Sequence, residues 1–477
     1  MQKHDFTDEE VKLALSHIVS RAVYPASELK TVSFMRENSS ICELTGLNEN
    51  IITKDKLYGI SKKLFALKNE LENHLSRKTN ELFDLQDKIV LYDLTNTYFE
   101  GEKRNSKKAK RGRSKEKRSD CPLMVLALVV NVQGFIKYSA IYEGNRADCT
   151  TLCDMIDKLR LSTSESEKKA IVVIDAGIAT EENLAMIVEK GYDYACVSRR
   201  NLKKYNNIEG KNPVSITDNK KSVIELTEVR AAGKNETEYY LKVKSEGKRL
   251  KESSMNRQFK ERFEEGLAVI AHGITAKNGT KNYDKVNQRI GRLKAKYPSI
   301  HRFYSVHIEK DKKDICKSMN WEQIEAVDVQ ANEELGVYFI RTSLTGCNEA
   351  IVWLIYNCIR EIESSFRCLK SDLDLRPIFH KTDEACEAHL HLGLLAYWVV
   401  NSIRFQLKTG GINSDWREIV RVMNTQKCVT TNMMNNKDEL ISIRTCSKPT
   451  EKVSTIYRIL KMKEAPFVRK KSVVSQK

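Results

Sequence analysis

The sequence predicts an α/β protein with a mixed five-stranded core sheet flanked by helices, a helical region before this core and a mainly β insertion within it. Three observations support this fold class. Residues 1–87 show amphipathic helical patterns, residues 88–199 alternate short β-rich runs with helical ones, and residues 200–345 return to polar, Lys-rich alternation. The core is predicted to resume at 346–405, and the basic C-terminal region 406–477 is assigned to dimerisation or DNA contact.

Composition limits the classes of function. The chain of 477 residues carries 81 Lys and Arg against 64 Asp and Glu, which favours a polyanionic partner, nucleic acid before an anionic membrane surface. No apolar run reaches the eighteen or so residues of a membrane-spanning helix, and the N-terminus lacks the apolar stretch of a signal peptide. Twelve cysteines without a CxxC pair favour reduced thiols. We therefore expect a cytoplasmic protein with no membrane partner.

The first predicted domain, residues 1–87, is helical. Thr7 precedes an acid-rich helix start, and residues 53–75 form an amphipathic pattern with basic residues outward. A DNA-binding domain is predicted here, and a dimerisation or packing module fits the same pattern.

The predicted core begins with three β-rich runs, the first ending near Asp93 and the other two joined by a turn at Gly134. A helix, a buried strand ending in Asp175, a helix that stops at Gly191 and a fifth strand follow. This is the order of the ribonuclease-H-like fold, in which an antiparallel meander of three strands is extended by two parallel ones.

Two segments interrupt this pattern. Residues 101–118 contain ten Lys and Arg and a single apolar residue, so we expect a mobile loop. A phosphate-binding arm is favoured over a solvated insertion, with contacts from Lys107, Lys108, Arg111 and Arg113. Residues 200–345 are predicted to form the mainly β insertion around one basic helix, residues 284–297.

A long helix after the insertion carries two stripes. Its apolar stripe predicts a buried face and contains Val352, Ile355, Ile359, Ile362, Phe366, Leu369 and Leu373. A polar stripe about 90° away contains Tyr356, Arg360, Glu363, Arg367 and Lys370. A solvated face with Glu–Arg pairs is the plain alternative to a binding surface.

In this fold Asp93, Asp175 and Glu363 are expected within a few ångströms of one another, although they are far apart in sequence. Clustered carboxylates bind hard divalent cations, so two Mg²⁺ (or Mn²⁺) ions are predicted. His380, His389 and His391 are instead expected to be core or phosphate-contacting residues, because 389 and 391 lie on different faces of a helix.

Three separated blocks carry a family resemblance. YDLTNTYFEG (92–101), VVIDAGIATEENL (172–184) and IESSFRCLKSDLDLRPIFH (362–380) resemble the catalytic blocks of DDE transposases from bacterial insertion sequences. The match is to the insertion-sequence-four superfamily with its Tyr-Arg-Glu-Lys signature, and it covers about 88–400.

The resemblance implies a metal-binding triad of Asp93, Asp175 and Glu363, with Tyr356, Arg360, Arg367 and Lys370 along DNA phosphates. Arg360 departs from the usual spacing, since it lies three residues before the glutamate and Ile359 occupies the fourth. Both offsets fall near the same helix face.

The implied activity is cleavage of DNA at terminal inverted repeats and transfer of the freed strands into target DNA by a homodimer. A catalytically inactive or domesticated copy that only binds DNA is the first alternative, and a nuclease acting on RNA hybrids is the second.

Overall fold

The computed structural model describes residues 4–113, 118, 120–162, 170–198, 202, 205–208, 212–218, 221–231, 239–325, 334–437, 439–465 and 470–475. The chain divides into two compact units. Unit 1 comprises Met1–Tyr194 and Asn357–Lys477, and unit 2 comprises Ala195–Tyr356.

Unit 1 begins with five helices and continues into the core sheet. The helices are α1 Asp8–Val23, α2 Glu28–Glu37, α3 Ile41–Thr45, α4 Lys54–Ala66 and α5 Lys68–Phe83. The core elements that follow are β1 Ile89–Tyr98, β2 Leu123–Asn131, β3 Ile136–Glu143, α6 Leu152–Ser162, β4 Ile171–Ile174, α7 Glu181–Glu189 and β5 Asp193–Val197, of which only the first two residues belong to unit 1.

The strand order of this sheet is β3-β2-β1-β4-β5. Strand β1 runs antiparallel to β2 and parallel to β4, and β2 runs antiparallel to β3. Every residue of β2 is buried, as its unbroken apolar sequence requires in a central strand. The mixed sheet confirms the predicted α/β core, and its order is consistent with the ribonuclease-H-like topology. One prediction is wrong: β1 does not end near Asp93 but continues to Tyr98, because it pairs with β2 along its whole length from Val90.

In its described residues, unit 2 contains seven complete strands and three α-helices of defined bounds. They are β6 Tyr205–Asn207, β7 Val214–Thr217, β8 Val223–Ala231, β9 Tyr239–Ser245, α8 Glu246–Thr275, α9 Tyr283–Lys296, β10 Tyr304–Lys310, β11 Cys316–Gln323, β12 Val337–Thr342 and α10 Glu349–Asn357, whose last residue belongs to unit 1. Strands β12, β9, β8 and β6 are neighbours in that order, with β7 on β8, while β10 and β11 form a separate hairpin.

The insertion is therefore not mainly β, and that prediction is wrong. Helix α8 alone has 30 residues. Its buried positions, Phe263, Leu267, Ile270 and Ile274, all lie in its second half, where they pack against α9 and the β10–β11 hairpin. The first half is polar and largely exposed, which hides the helical period in the sequence.

The chain returns to unit 1 with α11 Ile359–Arg367, a π-helical turn Cys368–Asp372 and α12 Asp383–Thr409. The remaining elements are α13 Trp416–Met423, β13 Cys428–Met434, β14 Glu439–Cys446, α14 Glu451–Ile459 and β15 Lys470–Ser475, with the three strands forming their own antiparallel sheet. No helix in the described part of the chain is long and apolar enough to cross a membrane.

The predicted N-terminal and C-terminal segments are both part of unit 1. Helices α1 and α4 pack against α12, whose residues Leu390–Trp398 are buried without a break. The indole of Trp416 donates a hydrogen bond of 2.7 Å to Ala22 O. Helices from residues 1–87 and 406–477 therefore share one hydrophobic core with α12, because the buried middle part of α12 is apolar on all sides and both segments cover it.

Candidate active site

Two predicted acids lie at matching positions on paired strands. The parallel pairing of β1 and β4 ends at Tyr92 opposite Ile174. Asp93 follows Tyr92 directly, and Asp175 follows Ile174 directly. Neighbouring strands are about 4.8 Å apart, so this register brings the two aspartates side by side. Asp93 is half-buried and Asp175 is exposed.

Local hydrogen bonds orient both carboxylates. Asp93 Oδ1 accepts from the N–H of Leu94 at 2.7 Å, and Asp175 Oδ1 accepts from the N–H of Ala176 at 2.8 Å. The carbonyl of Asp175 also accepts from Ile178 N at 3.0 Å, which turns the chain away directly after β4. Strand β1 thus continues past the point where β4 stops.

Glu363 lies on α11, which packs against β1 with α-carbons within 8 Å. The inward side of this helix consists of Ile359, Ile362, Ser365 and Phe366. Arg360, Glu363 and Arg367 are all exposed and fall within about 60° of one another around the helix. The structure therefore confirms that these three residues share one solvent-facing stripe.

The predicted stripe is shorter than expected at its N-terminal end. Helix α10 ends at Asn357 and α11 begins at Ile359, so Tyr356 and Glu363 do not lie on one continuous helix. Tyr356 belongs to unit 2, where its ring centroid is 6.5 Å from that of Tyr338. Lys370 lies in the π-helical turn after α11, where the period changes.

A tyrosine on α12 holds α11 in place. Tyr397 is fully buried, and its hydroxyl donates to Gly134 O at 2.9 Å and lies 2.7 Å from Ser365 Oγ. Gly134 has φ +78, and a Cβ there would lie 3.1 Å from both Glu361 Oε1 and Tyr397 Oη. The sequence predicts Gly134 only as a turn. It does not predict Tyr397 as a site residue, because Tyr397 lies in an apolar run that resembles any core helix.

The donor set of Asp93, Asp175 and Glu363 fits Mg²⁺ or Mn²⁺, which prefer carboxylate oxygens. The three carboxylates do not converge on one point, since no choice of one oxygen from each puts all three within 4.8 Å of one another. In a two-metal site the ions are about 3.5–4 Å apart and share the acids between them, so the carboxylates need not surround one centre.

The described residues contain a different group that meets this distance, Glu28, His380 and His389. Glu28 Oε1 is 3.7 Å from His380 Nε2, and the two imidazole centroids are 4.9 Å apart. The buried Arg21 interacts electrostatically with Glu28 and with both histidines, and burial lowers the pKa of each imidazole. A guanidinium already balances the single carboxylate, so we interpret the group as the link between α2 and α12. His389 and His391 are core residues, as expected.

The basic segment after β1 is more ordered than predicted. Lys110 and Leu123 exchange backbone hydrogen bonds, and Lys107 N donates to Asp383 Oδ2 at 2.8 Å. The side chain of Lys108 pairs with Glu387 on α12. Described residues 101–113 therefore make specific contacts that the expectation of a loop did not include, because helix α12 supplies acids for their polar groups. Residues 114–117 and 119 lie outside the described part.

Only some cations of this segment are available to a ligand. Lys107, Arg111 and Arg113 are exposed, and no described carboxylate lies within 4.0 Å of their charged groups. Lys108 is half-buried and already paired.

Comparisons with known proteins give a family match and several similar solved structures. A family model described as "Transposase DDE domain" matches residues 84–399. Comparison with curated proteins finds no match. Among solved structures, a piggyBac transposase synaptic complex with hairpin DNA is similar at 8% identity and a TM-score of 0.36, covering 87% of this chain and 70% of that chain. A Mos1 mariner paired end complex with Mn is similar at 13% identity and a TM-score of 0.18, covering 36% of this chain and 58% of that chain. Neither structure is similar enough to support an argument about the site.

Proposed function

Because this chain belongs to the family of transposase DDE domains, we propose that it cleaves DNA at the terminal inverted repeats of an insertion sequence and joins the freed ends to target DNA. The bacterial insertion-sequence-four superfamily is the subgroup we propose, on the blocks at 92–101, 172–184 and 362–380.

One observation carries the proposal. The β1–β4 register brings Asp93 and Asp175 side by side, and α11 packs against the same strand β1 with Glu363 on its exposed side. Three acids from distant parts of the sequence thus lie on or beside strand β1, within residues 84–399 that match the family model. We propose that these three residues are the catalytic acids and hold two divalent ions, Mg²⁺ or Mn²⁺. When bound, such ions supply activation of the attacking water or 3′ hydroxyl and stabilisation of the leaving oxygen.

The residues around the acids would bind and orient the DNA. Arg360 and Arg367 flank Glu363 on the exposed face of α11, where guanidinium groups can contact phosphates on both sides of the scissile bond. Lys370, Tyr356, Lys107, Arg111 and Arg113 are proposed as further backbone contacts. Lys108 is a weaker candidate, because a DNA phosphate would have to displace Glu387 from its side chain.

The proposed partner is double-stranded DNA, in the form of the element's repeats and the target. Two ends have to be processed together in transposition, so we propose a homodimer on DNA, a state implied by the resemblance.

A nicking assay tests this function. The substrate is a duplex carrying the inverted repeats that flank the chain's own reading frame, incubated with Mg²⁺ or Mn²⁺. Glu363→Gln and Asp175→Asn should each lower the nicking rate on the order of 10³-fold while DNA binding persists. Glu361→Gln is the matched control, since it removes a carboxylate from the same helix at a position next to Gly134. Binding without cutting by the unchanged protein, with either metal, would support the inactive alternative.

A further inference from the structure

Helix α9 carries a stripe of cations that the proposed active site does not use. Lys285, Arg289, Arg292 and Lys296 are separated by four, three and four residues, so they lie within about 60° of one another around the helix. Three of the four are exposed, and Arg289 is half-buried. We call these four residues the α9 basic stripe.

The packing of α9 fixes the direction of this stripe. Val286 and Ile290 are buried in the core that α8, α9 and the β10–β11 hairpin share. A Cβ on Gly266 of α8 would lie 2.6 Å from Leu293, so the two helices approach closely there. The apolar residues lie about 100° round from the cations, so packing leaves the basic stripe on the surface.

One member of the stripe is also supported from α8. A Cβ on Gly273 would lie 3.4 Å from a guanidinium nitrogen of Arg289, so this side chain lies along the glycine surface. A side chain held in this way loses less rotamer entropy when it binds a ligand.

The stripe is not a solvated face with paired charges. Residues 277–302 contain eight Lys and Arg and one Asp, whereas the whole chain has 81 against 64. No described carboxylate lies within 4.0 Å of a cation of the stripe, although nearby cations have such partners, as in Arg249–Glu246 and Lys310–Asp314. The repulsion among four cations with no described carboxylate partner has to be offset by an external anion or by solvent.

We propose that the α9 basic stripe binds the phosphate backbone of duplex DNA, as a second contact surface carried by unit 2. This rests on the proposed function for the choice of DNA as the polyanion. From Lys285 to Lys296 the helix rises about 16 Å. One strand of B-DNA presents about five phosphates over that length, enough for each cation to meet one.

The test compares two triple variants of the full chain. The first combines Lys285→Gln, Arg292→Gln and Lys296→Gln, the three exposed members. The matched control combines Lys190→Gln, Arg249→Gln and Lys310→Gln, which removes the same formal charge from cations paired with Asp157, Glu246 and Asp314. The affinity for an end-bearing duplex is measured between about 50 and 200 mM KCl.

The stripe variant should reduce the slope of log K against log salt by about 2.7, at about 0.9 for each lost phosphate contact, and weaken binding on the order of a hundredfold near 0.15 M salt. The control should keep the slope. The charge-preserving combination Lys285→Arg, Arg292→Lys and Lys296→Arg should bind like the unchanged protein, which separates lost charge from misfolding. An unchanged slope in the stripe variant, or an equal loss in both triples, would overturn the proposal.

Other partners give different results. If the stripe variant loses affinity for duplex RNA or loses self-association while DNA binding is retained, the stripe serves that partner and the proposal is wrong. Failure of the proposed nicking activity would give a different result. The unchanged protein would then nick no DNA with Mg²⁺ or Mn²⁺, while the stripe variant would still show the smaller salt slope of DNA binding.

Discussion

Tyr397→Phe tests whether the position of α11 depends on one buried hydroxyl. The change keeps the ring and removes the group that bonds to Gly134 O and contacts Ser365 Oγ. Both partners are on segments next to the proposed site, one in the turn between β2 and β3 and one on the inward face of α11.

The magnitude follows from which partner is left unsatisfied. Ser365 Oγ still donates to Glu361 O at 2.9 Å, whereas the carbonyl of Gly134 loses its buried donor. An unsatisfied buried acceptor costs about 1–3 kcal/mol. Local opening of α11 and of the turn should therefore become about 5- to 150-fold more frequent.

Hydrogen exchange read by mass spectrometry measures this opening segment by segment. Protection should fall in peptides covering 359–367 and 131–136 and remain unchanged in unit 2. Tyr24→Phe is the control, because the Tyr24 ring stacks on Phe34 and no described group bonds to its hydroxyl. If protection in α11 is equal in Tyr397→Phe and in the unchanged protein, the hydroxyl does not hold the helix and the reasoning fails.

Two further predictions concern buried histidines and the basic segment. Burial lowers the pKa of His17 and of His391 to about 3, so between about pH 6 and 4 the unfolded chain binds more protons than the folded one. The free energy of unfolding should therefore fall with decreasing pH, by about 1.4 kcal/mol per pH unit for each histidine. His391→Leu should remove one such contribution in urea titrations at several pH values, and an unchanged dependence of unfolding free energy on pH would contradict this. Arg111→Gln should reduce the salt slope of DNA binding by about one. Lys108→Gln should leave that slope unchanged and instead lower the free energy of unfolding by roughly 1 kcal/mol, because the pair with Glu387 is lost. Equal salt slopes for the two variants would contradict the view that Arg111 is available to DNA and Lys108 is not.

The sequence best predicts those parts of the fold whose apolar and polar residues repeat at the spacing of a strand or a helix. The strand that contains Asp93 and the strand that ends just before Asp175 are apolar runs between turn residues, and the order of strands and helices indicated the ribonuclease-H-like arrangement of neighbours. The stripe at Arg360, Glu363 and Arg367 follows from helical spacing and is confirmed. The residues of the proposed site were therefore accessible from local patterns together with a family resemblance.

The contacts that hold the site together were not accessible in this way. The first half of helix α8 is rich in Lys, Arg and Glu and has no continuous apolar stripe, so the sequence pattern assigns this segment to the mainly β insertion and misses a helix of 30 residues. The break between α10 and α11 has no proline or glycine to mark it. Tyr397 matters through partners 32 and 263 positions away, and no local pattern reports such distances.

Net charge alone does not predict which cations bind a ligand. The basic segment 101–118 has the higher charge density, yet Lys108 is neutralised by Glu387, and the backbone of Lys107 is bonded to Asp383. The α9 stripe has fewer cations, but α9 is packed so that no described carboxylate lies within 4.0 Å of their charged groups. The free energy of binding to phosphate depends on the charge that has no partner before the ligand arrives, because a paired cation has to give up one anion to gain another. Unit 2 should therefore contribute more to the salt dependence of DNA binding per cation than the denser segment beside β1.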